Sequence, residues 1–245
     1  SSDDLRPVFA PGGRSLVIVA SVNQSSSAYA PTNTHLYEVP LGGGEPRALT
    51  SGTSTYDSPA FSPDGASLCA RVTEEWGRIY ALDRLACAAW PWTGAPTVVS
   101  SGFDRAVADF AFAPDSRTLY LTAEDAGFVR LYSVPAKGGP VTPLLESRGA
   151  FGAIESPAGA PAPVIVAGWG SATEPVEIVR VDPTARTRTR RLVASIPPGR
   201  PTSARQRARS RTSAASCASC EESRRFPGAK AMPRRSTICS STKCC

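Results

Sequence analysis

Phe9-Ala10-Pro11-Gly12-Gly13, Phe61-Ser62-Pro63-Asp64-Gly65 and Phe112-Ala113-Pro114-Asp115-Ser116 are three copies of one phrase, spaced 52 and 51 residues apart. Each is followed by an apolar run: Leu16 to Val19, Leu68 to Val72, Leu119 to Leu121. A weaker fourth copy opens at Ile154, with Ser156-Pro157-Ala158-Gly159 for the turn and Val164 to Val166 for the run. An apolar strand that meets Pro-Asp-Gly folds back as a hairpin, because Pro presets φ, Asp bonds its own backbone and Gly accepts a positive φ. Four such units of about forty to fifty residues, each a cluster of short strands, form the sequence pattern of β-propeller blades.

The rest of each unit follows the same plan. A third strand of alternating character is expected at His35 to Val39, Arg78 to Leu82, Arg130 to Val134 and Glu177 to Val181. Gly- or Pro-bearing turns then lead to short edge strands at Arg47 to Thr50, Thr97 to Ser100, Thr142 to Leu145 and Arg190 to Val193. The expected fold class is therefore all-β: a partial β-propeller of about four four-stranded antiparallel blades, at about residues 1–52, 53–104, 105–147 and 148–195, followed by a disordered basic tail over 196–245.

Hydrophobic residues make up 41% of the 245, enough for a sizeable core. Four blades rarely close a ring at this blade size, so two blade faces are left without the neighbour they are built to meet. The chain starts at Ser1 and its only methionine is Met232, which reads as an internal piece of a longer protein. No apolar run approaches bilayer length, so no membrane partner is expected.

From Ile196 onward the strand pattern stops. Arg, Ser, Ala, Pro, Thr and Cys supply 39 of these 50 residues and Phe226 is the only aromatic, too little apolar surface to offset the entropy of ordering. Residues 1–195 carry a net charge of −3 and residues 196–245 a net charge of +9, so the whole-chain value of +6 describes neither part. The preferred reading is translation of GC-rich DNA out of frame or through an intron. A basic arm for nucleic acid, through Arg205, Arg207, Arg209 and Arg211, is the less favoured alternative because no aromatic stacking partner accompanies it. A zinc ribbon at Cys217, Cys220, Cys239 and Cys244, with Cys245 adjacent, is another, weakened by the uneven spacing of the second pair. No cofactor is expected.

The third unit carries more than a generic pattern. The segment from Gly102 to Pro135 resembles the propeller of the prolyl oligopeptidase family of serine peptidases, most closely its secreted dipeptidyl-peptidase V group. A blade there is typically entered through Trp-Asp-Arg and later reads Thr-Leu-Tyr-x-Thr-Ala-Glu-Asp. Phe103 stands in for the Trp, while Asp104, Arg105, Phe112, Asp115, Thr118 to Tyr120 and Thr122 to Asp125 match. Thr53 to Gly65 is similar to the family blade before it, and the resemblance covers about residues 50–195. It implies a secreted two-domain enzyme acting on short peptides, whose propeller caps an α/β-hydrolase domain bearing a Gly-x-Ser-x-Gly nucleophile with Asp and His later in the chain. The hydrolase domain and further blades would then be this segment's partners.

No catalytic residue is expected in this chain. Gly168-Trp169-Gly170-Ser171-Ala172 only superficially resembles a nucleophile elbow, and Ser171 reads as a loop residue. His35, the sole histidine, opens an exposed-looking strand and reads as structural. Glu74 and Glu75 could hold a substrate's α-amine, as paired glutamates do in some dipeptidyl peptidases of the family, although a solvated loop above Trp76 is the plainer reading. Trp90-Pro91-Trp92 reads as an apolar loop folded over a blade edge, with a rim patch along an access path as the other possibility. Cys69 and Cys87 are placed to bridge in an oxidising compartment or to remain inert thiols. The alternative function is a non-enzymatic propeller of WD40-like or TolB-like type acting as a protein-binding module.

Overall fold

The computed structural model describes residues 7–21, 33–74 and 80–185, together with the backbone of 189–191. Among these residues every regular element is a strand. β1 (Val8–Phe9), β2 (Ser15–Ser21), β3 (Thr34–Pro40) and β4 (Arg47–Ala48) form one antiparallel sheet in chain order. β5 (Thr55–Phe61), β6 (Ser67–Thr73), β7 (Asp83–Ala89) and β8 (Thr97–Val98) form the next. β9 (Val107–Phe112), β10 (Thr118–Asp125), β11 (Phe128–Pro135) and β12 (Thr142–Pro143) make the third blade, and β13 (Ala150–Glu155), β14 (Ile165–Gly170), β15 (Glu177–Val181) and β16 (Thr189–Arg191) the fourth. A single parallel bridge, Val129 to Ala150, runs between these last two blades. The all-β, four-by-four antiparallel architecture read from the repeats is what the chain adopts.

Each strand feeds two cores, because successive side chains leave a strand on opposite faces. Leu68, Ala70 and Val72 of β6 turn toward the first blade and pack with Val17, Val19 and Leu36, whereas Cys69 turns the other way. Leu119, Leu121 and Ala123 of β10 join Cys69, Leu85 and Cys87 between blades two and three. Tyr120 and Leu131 instead face Phe151, Ile154, Ile165 and Val179 of the fourth blade. Blade order is thus set by apolar burial on both faces of every interior sheet.

The hairpin turns stack as well. Gly65 has φ +70°, and a Cβ placed on it would lie 2.9 Å from the Pro11 ring of the preceding turn. The backbone amide of Asp64 donates to Ser116 Oγ of the following turn at 3.0 Å. Within its turn, Asp64 accepts from the Ala66 amide, and Asp115 accepts from the amides of Arg117 and Thr118. The Asx geometry expected from Pro-Asp-Gly is therefore present, with Ser116 adopting the positive φ that Gly65 has in the preceding unit.

Two readings are corrected. The third strand of the second blade is Asp83–Ala89, where Arg78 to Leu82 was expected: Arg78 and Ile79 lie outside the described residues, and Tyr80 lies in a turn, 91% exposed. The stretch Leu85-Ala86-Cys87 has weaker strand propensity than Ile79-Tyr80, but all three side chains are buried, Leu85 and Cys87 in the core shared with the third blade and Ala86 in the core shared with the first, and burial overrides propensity. The edge strands are also shorter than expected, two residues in each of the first three blades, which leaves little unpaired edge. The expectations for residues 192–245, including the four-cysteine set, lie outside the described residues.

Replacing Leu119, wholly buried between two blades, with Ala is expected to cost about 2–5 kcal/mol. Gly65→Ala is expected to cost about 1 kcal/mol or more, since alanine is strained at φ +70° and its Cβ would press on the Pro11 ring. Urea denaturation of both variants checks the pair; unchanged midpoints would contradict the packing described.

Candidate functional site

The first strand of each blade is the innermost, and these strands converge on a cavity of about 440 Å³ lined from all four blades, by Val8, Phe61, Asp109, Phe110 and Glu155 among others. Register shifts interrupt β5 between Asp57 and Ala60, the β9–β10 pairing at Thr122 and Ala123, and β13 between Phe151 and Ile154. Bulges at comparable points bend the inner strands. A polar strap ties the strands beside the cavity. Arg71 binds Asp57 in bidentate fashion, at 2.8 and 2.9 Å, and reaches across to the Ala108 carbonyl of the third blade at 2.8 Å. Asp109 then accepts the amide of Ile154 in the fourth blade at 2.9 Å. No sequence motif pointed to Arg71 or Asp109, since the contacts that join blades, Arg71 to Ala108 and Asp109 to Ile154, are made between residues 37 and 45 positions apart.

A second cluster gathers where the second and third strands of the second and third blades are joined. Glu74 lies 3.8 Å from Arg84, whose guanidinium also donates to the carbonyls of Ser100, Ser101 and Phe103, the crossover into the third blade. Glu75 lies outside the described residues. The described member of the expected amine-binding pair therefore faces a cation of its own chain.

The blade-entry motif finds its physical reason here. Arg105 pairs with Asp104 and also reaches Asp125 at the end of β10 at 3.0 Å. Arg130 and the Tyr132 hydroxyl approach Asp125 as well, each at 3.2 Å. Burial pushes the Asp125 carboxyl upward, but hydrogen bonds from Arg105 and Tyr132 and the charges of Arg105 and Arg130 outweigh it and hold Asp125 below the ordinary carboxylate range. Phe103 packs edge-on against Tyr132 with ring centroids 5.0 Å apart, beneath Arg105.

The other singled-out residues each make contacts within the fold. Ser171 follows β14 in a tight turn, its hydroxyl accepting the amides of Thr173 and Glu174. His35 is buried, not exposed as its strand suggested: Nδ1 lies 3.2 Å from Thr50 Oγ1, which also accepts the Leu36 amide. Burial lowers its pKa below the ordinary histidine value, against a weaker upward pull from a backbone hydrogen bond with Gly52. Trp90-Pro91-Trp92 folds over the blade edge, with Trp90 edge-on to Phe61 and Trp92 buried in the core between blades one and two. Cys69 and Cys87, directly opposite across β6 and β7, are joined as a disulfide.

These features define a run of β-propeller blades with a central cavity and a charged loop face. No known protein-family profile matches the chain. In sequence it is similar to dipeptidyl-peptidase 5 of Porphyromonas gingivalis, 30% identical over 142 residues that cover 57% of this chain and 20% of that protein. The chain thus spans about a fifth of the length of that relative. In structure it is similar to puromycin hydrolase, with a TM-score of 0.61 and 20% identity over 77% of this chain and 30% of that one. It is also similar to a TolB-like protein of Agrobacterium tumefaciens, at 0.57 and 20% identity, covering 76% and 63%. These structural likenesses show the propeller fold, and the sequence match bears out the resemblance to dipeptidyl-peptidase V.

Two predictions follow from the buried groups. With its folded pKa depressed, His35 contributes stability that is complete above its unfolded value near 6.5 and is lost as pH falls through the lower folded value. A melting temperature followed from pH 7 to 5, above the window where carboxylates begin to titrate, should fall, and the slope should flatten in His35→Gln. A nonreducing tryptic digest should yield one linked pair of peptides containing Cys69 and Cys87; alkylation of both thiols without prior reduction would refute the bridge.

Proposed function

We propose that this chain is a propeller segment of a secreted, dipeptidyl-peptidase V-like serine peptidase and contributes to the gate that admits short peptides to a hydrolase domain. The observation that carries the reading is the 142-residue sequence match, which the motif Asp104-Arg105 with Glu124-Asp125 supports by its ion network around Asp125. A cavity of about 440 Å³ between inner strands suits a filter that passes an extended peptide and excludes a folded protein. The strap through Arg71 and Asp109 would keep its rim rigid. The Cys69–Cys87 disulfide favours an oxidising compartment, in line with secretion. Glu74 and Glu75 are the proposed contacts for a substrate amine, and in this role Glu74 would exchange Arg84 for the incoming ammonium.

A second reading, a TolB-like binding module, is favoured by the larger share of the Agrobacterium protein that the chain covers, 63%. Sequencing the transcript and the genomic DNA beyond the codons for Ser195 to Gly199 separates the two. The peptidase reading expects a downstream Gly-x-Ser-x-Gly followed by Asp and His in one frame; a confirmed stop with no such frame supports the module. The purified chain is expected to release no product from dipeptidyl substrates above buffer. Turnover abolished by a serine-directed covalent inhibitor would overturn that expectation.

A further inference from the structure

We propose that the groove between the β10–β11 hairpin tip and the β14–β15 loop binds the C-terminal end of short apolar peptides, with an apolar side chain in the groove and the α-carboxylate on Arg148. The groove has a volume of about 500 Å³, within the range of small-ligand sites. Phe128 forms one wall, and the Arg130 guanidinium lies over its ring, 5.9 Å from the centroid. Val176, 78% exposed, lines the groove from the β14–β15 loop and offers its apolar surface to an incoming side chain. At Gly127, Gly149 and Gly170 the lining is backbone, so the groove is open to an extended chain. Two of these glycines are held by packing: a Cβ on Gly149 would meet the Gly170 carbonyl and the Trp169 indole at 2.6 Å, and one on Gly170 would meet Val176 at 3.0 Å.

The charge pattern selects the ligand. The two nearby arginines, Arg105 and Arg130, are committed to Asp125. Arg148 lines the groove, is exposed, and enters no ion pair or hydrogen bond among the described residues. A carboxylate is drawn to the Arg148 guanidinium, which can grip it with two parallel hydrogen bonds. An apolar side chain next to a free carboxylate matches both the lining and the lone cation. This site stands on the groove alone, and its failure would leave the propeller reading untouched.

The test is an amide NMR titration of the full chain with N-acetyl-Leu-Phe and, separately, with its C-terminal amide. Saturable shifts are expected at Gly127, Gly149 and Ala172, with the acid bound about fivefold more tightly than the amide, as for one partly exposed ion pair. Arg148→Ala should erase that difference, Arg148→Lys should retain part of it, and Val176→Asn should weaken both peptides alike. Equal affinity for acid and amide overturns the proposal, as does discrimination that survives Arg148→Ala. So does the absence of shifts with either peptide, the result expected if another part of this chain already covers the groove.

Discussion

Burial on both faces of each interior sheet is the constraint on which this structure depends. A four-stranded blade of short strands has too little area to be stable alone. It becomes stable when its two faces are covered by its neighbours, and the residues show that demand: Leu68 and Cys69 are adjacent in sequence, both fully buried, and belong to different cores. The first blade shows the contrast on the side where no described residue packs against it. Phe9, at the position of Phe112 in the third blade, is 68% exposed where Phe112 is 5% exposed.

Polar groups do a different job from the apolar cores. Arg71, Asp109 and Arg84 each join segments that hydrophobic contact alone would leave free to slide, and they do so through hydrogen bonds of defined direction. Arg84 collects three carbonyls of a crossover that has no strand partner to satisfy them, so one side chain replaces a missing ladder. The Asp125 cluster fixes the tip of a hairpin in the same way, and its charges are mostly neutralised internally. What is left for recognition on that face is the unpaired Arg148 and the apolar side chains near it.

The similarities to known proteins and the physical features converge on one architecture without assigning chemistry to this chain. Ser171 has its hydroxyl tied to its own turn, and His35 is enclosed beside Thr50 in another blade.

The sequence by itself determined the hairpins, their turns and the four-fold repetition, because these are local: Pro, Asp and Gly act within four residues, and strand alternation is read over five to seven. Tertiary structure decided the rest. Whether Arg78 to Leu82 or Asp83–Ala89 would pair with β6 depended on which residues fit between two sheets. The burial of His35 came from Thr50 and Tyr56 arriving beside it, and the choice between thiols and a disulfide came from the register that sets Cys69 opposite Cys87. Arg84 and Arg148 are indistinguishable as surface cations in sequence; only the folded chain gives the first its partners and leaves the second beside an apolar groove.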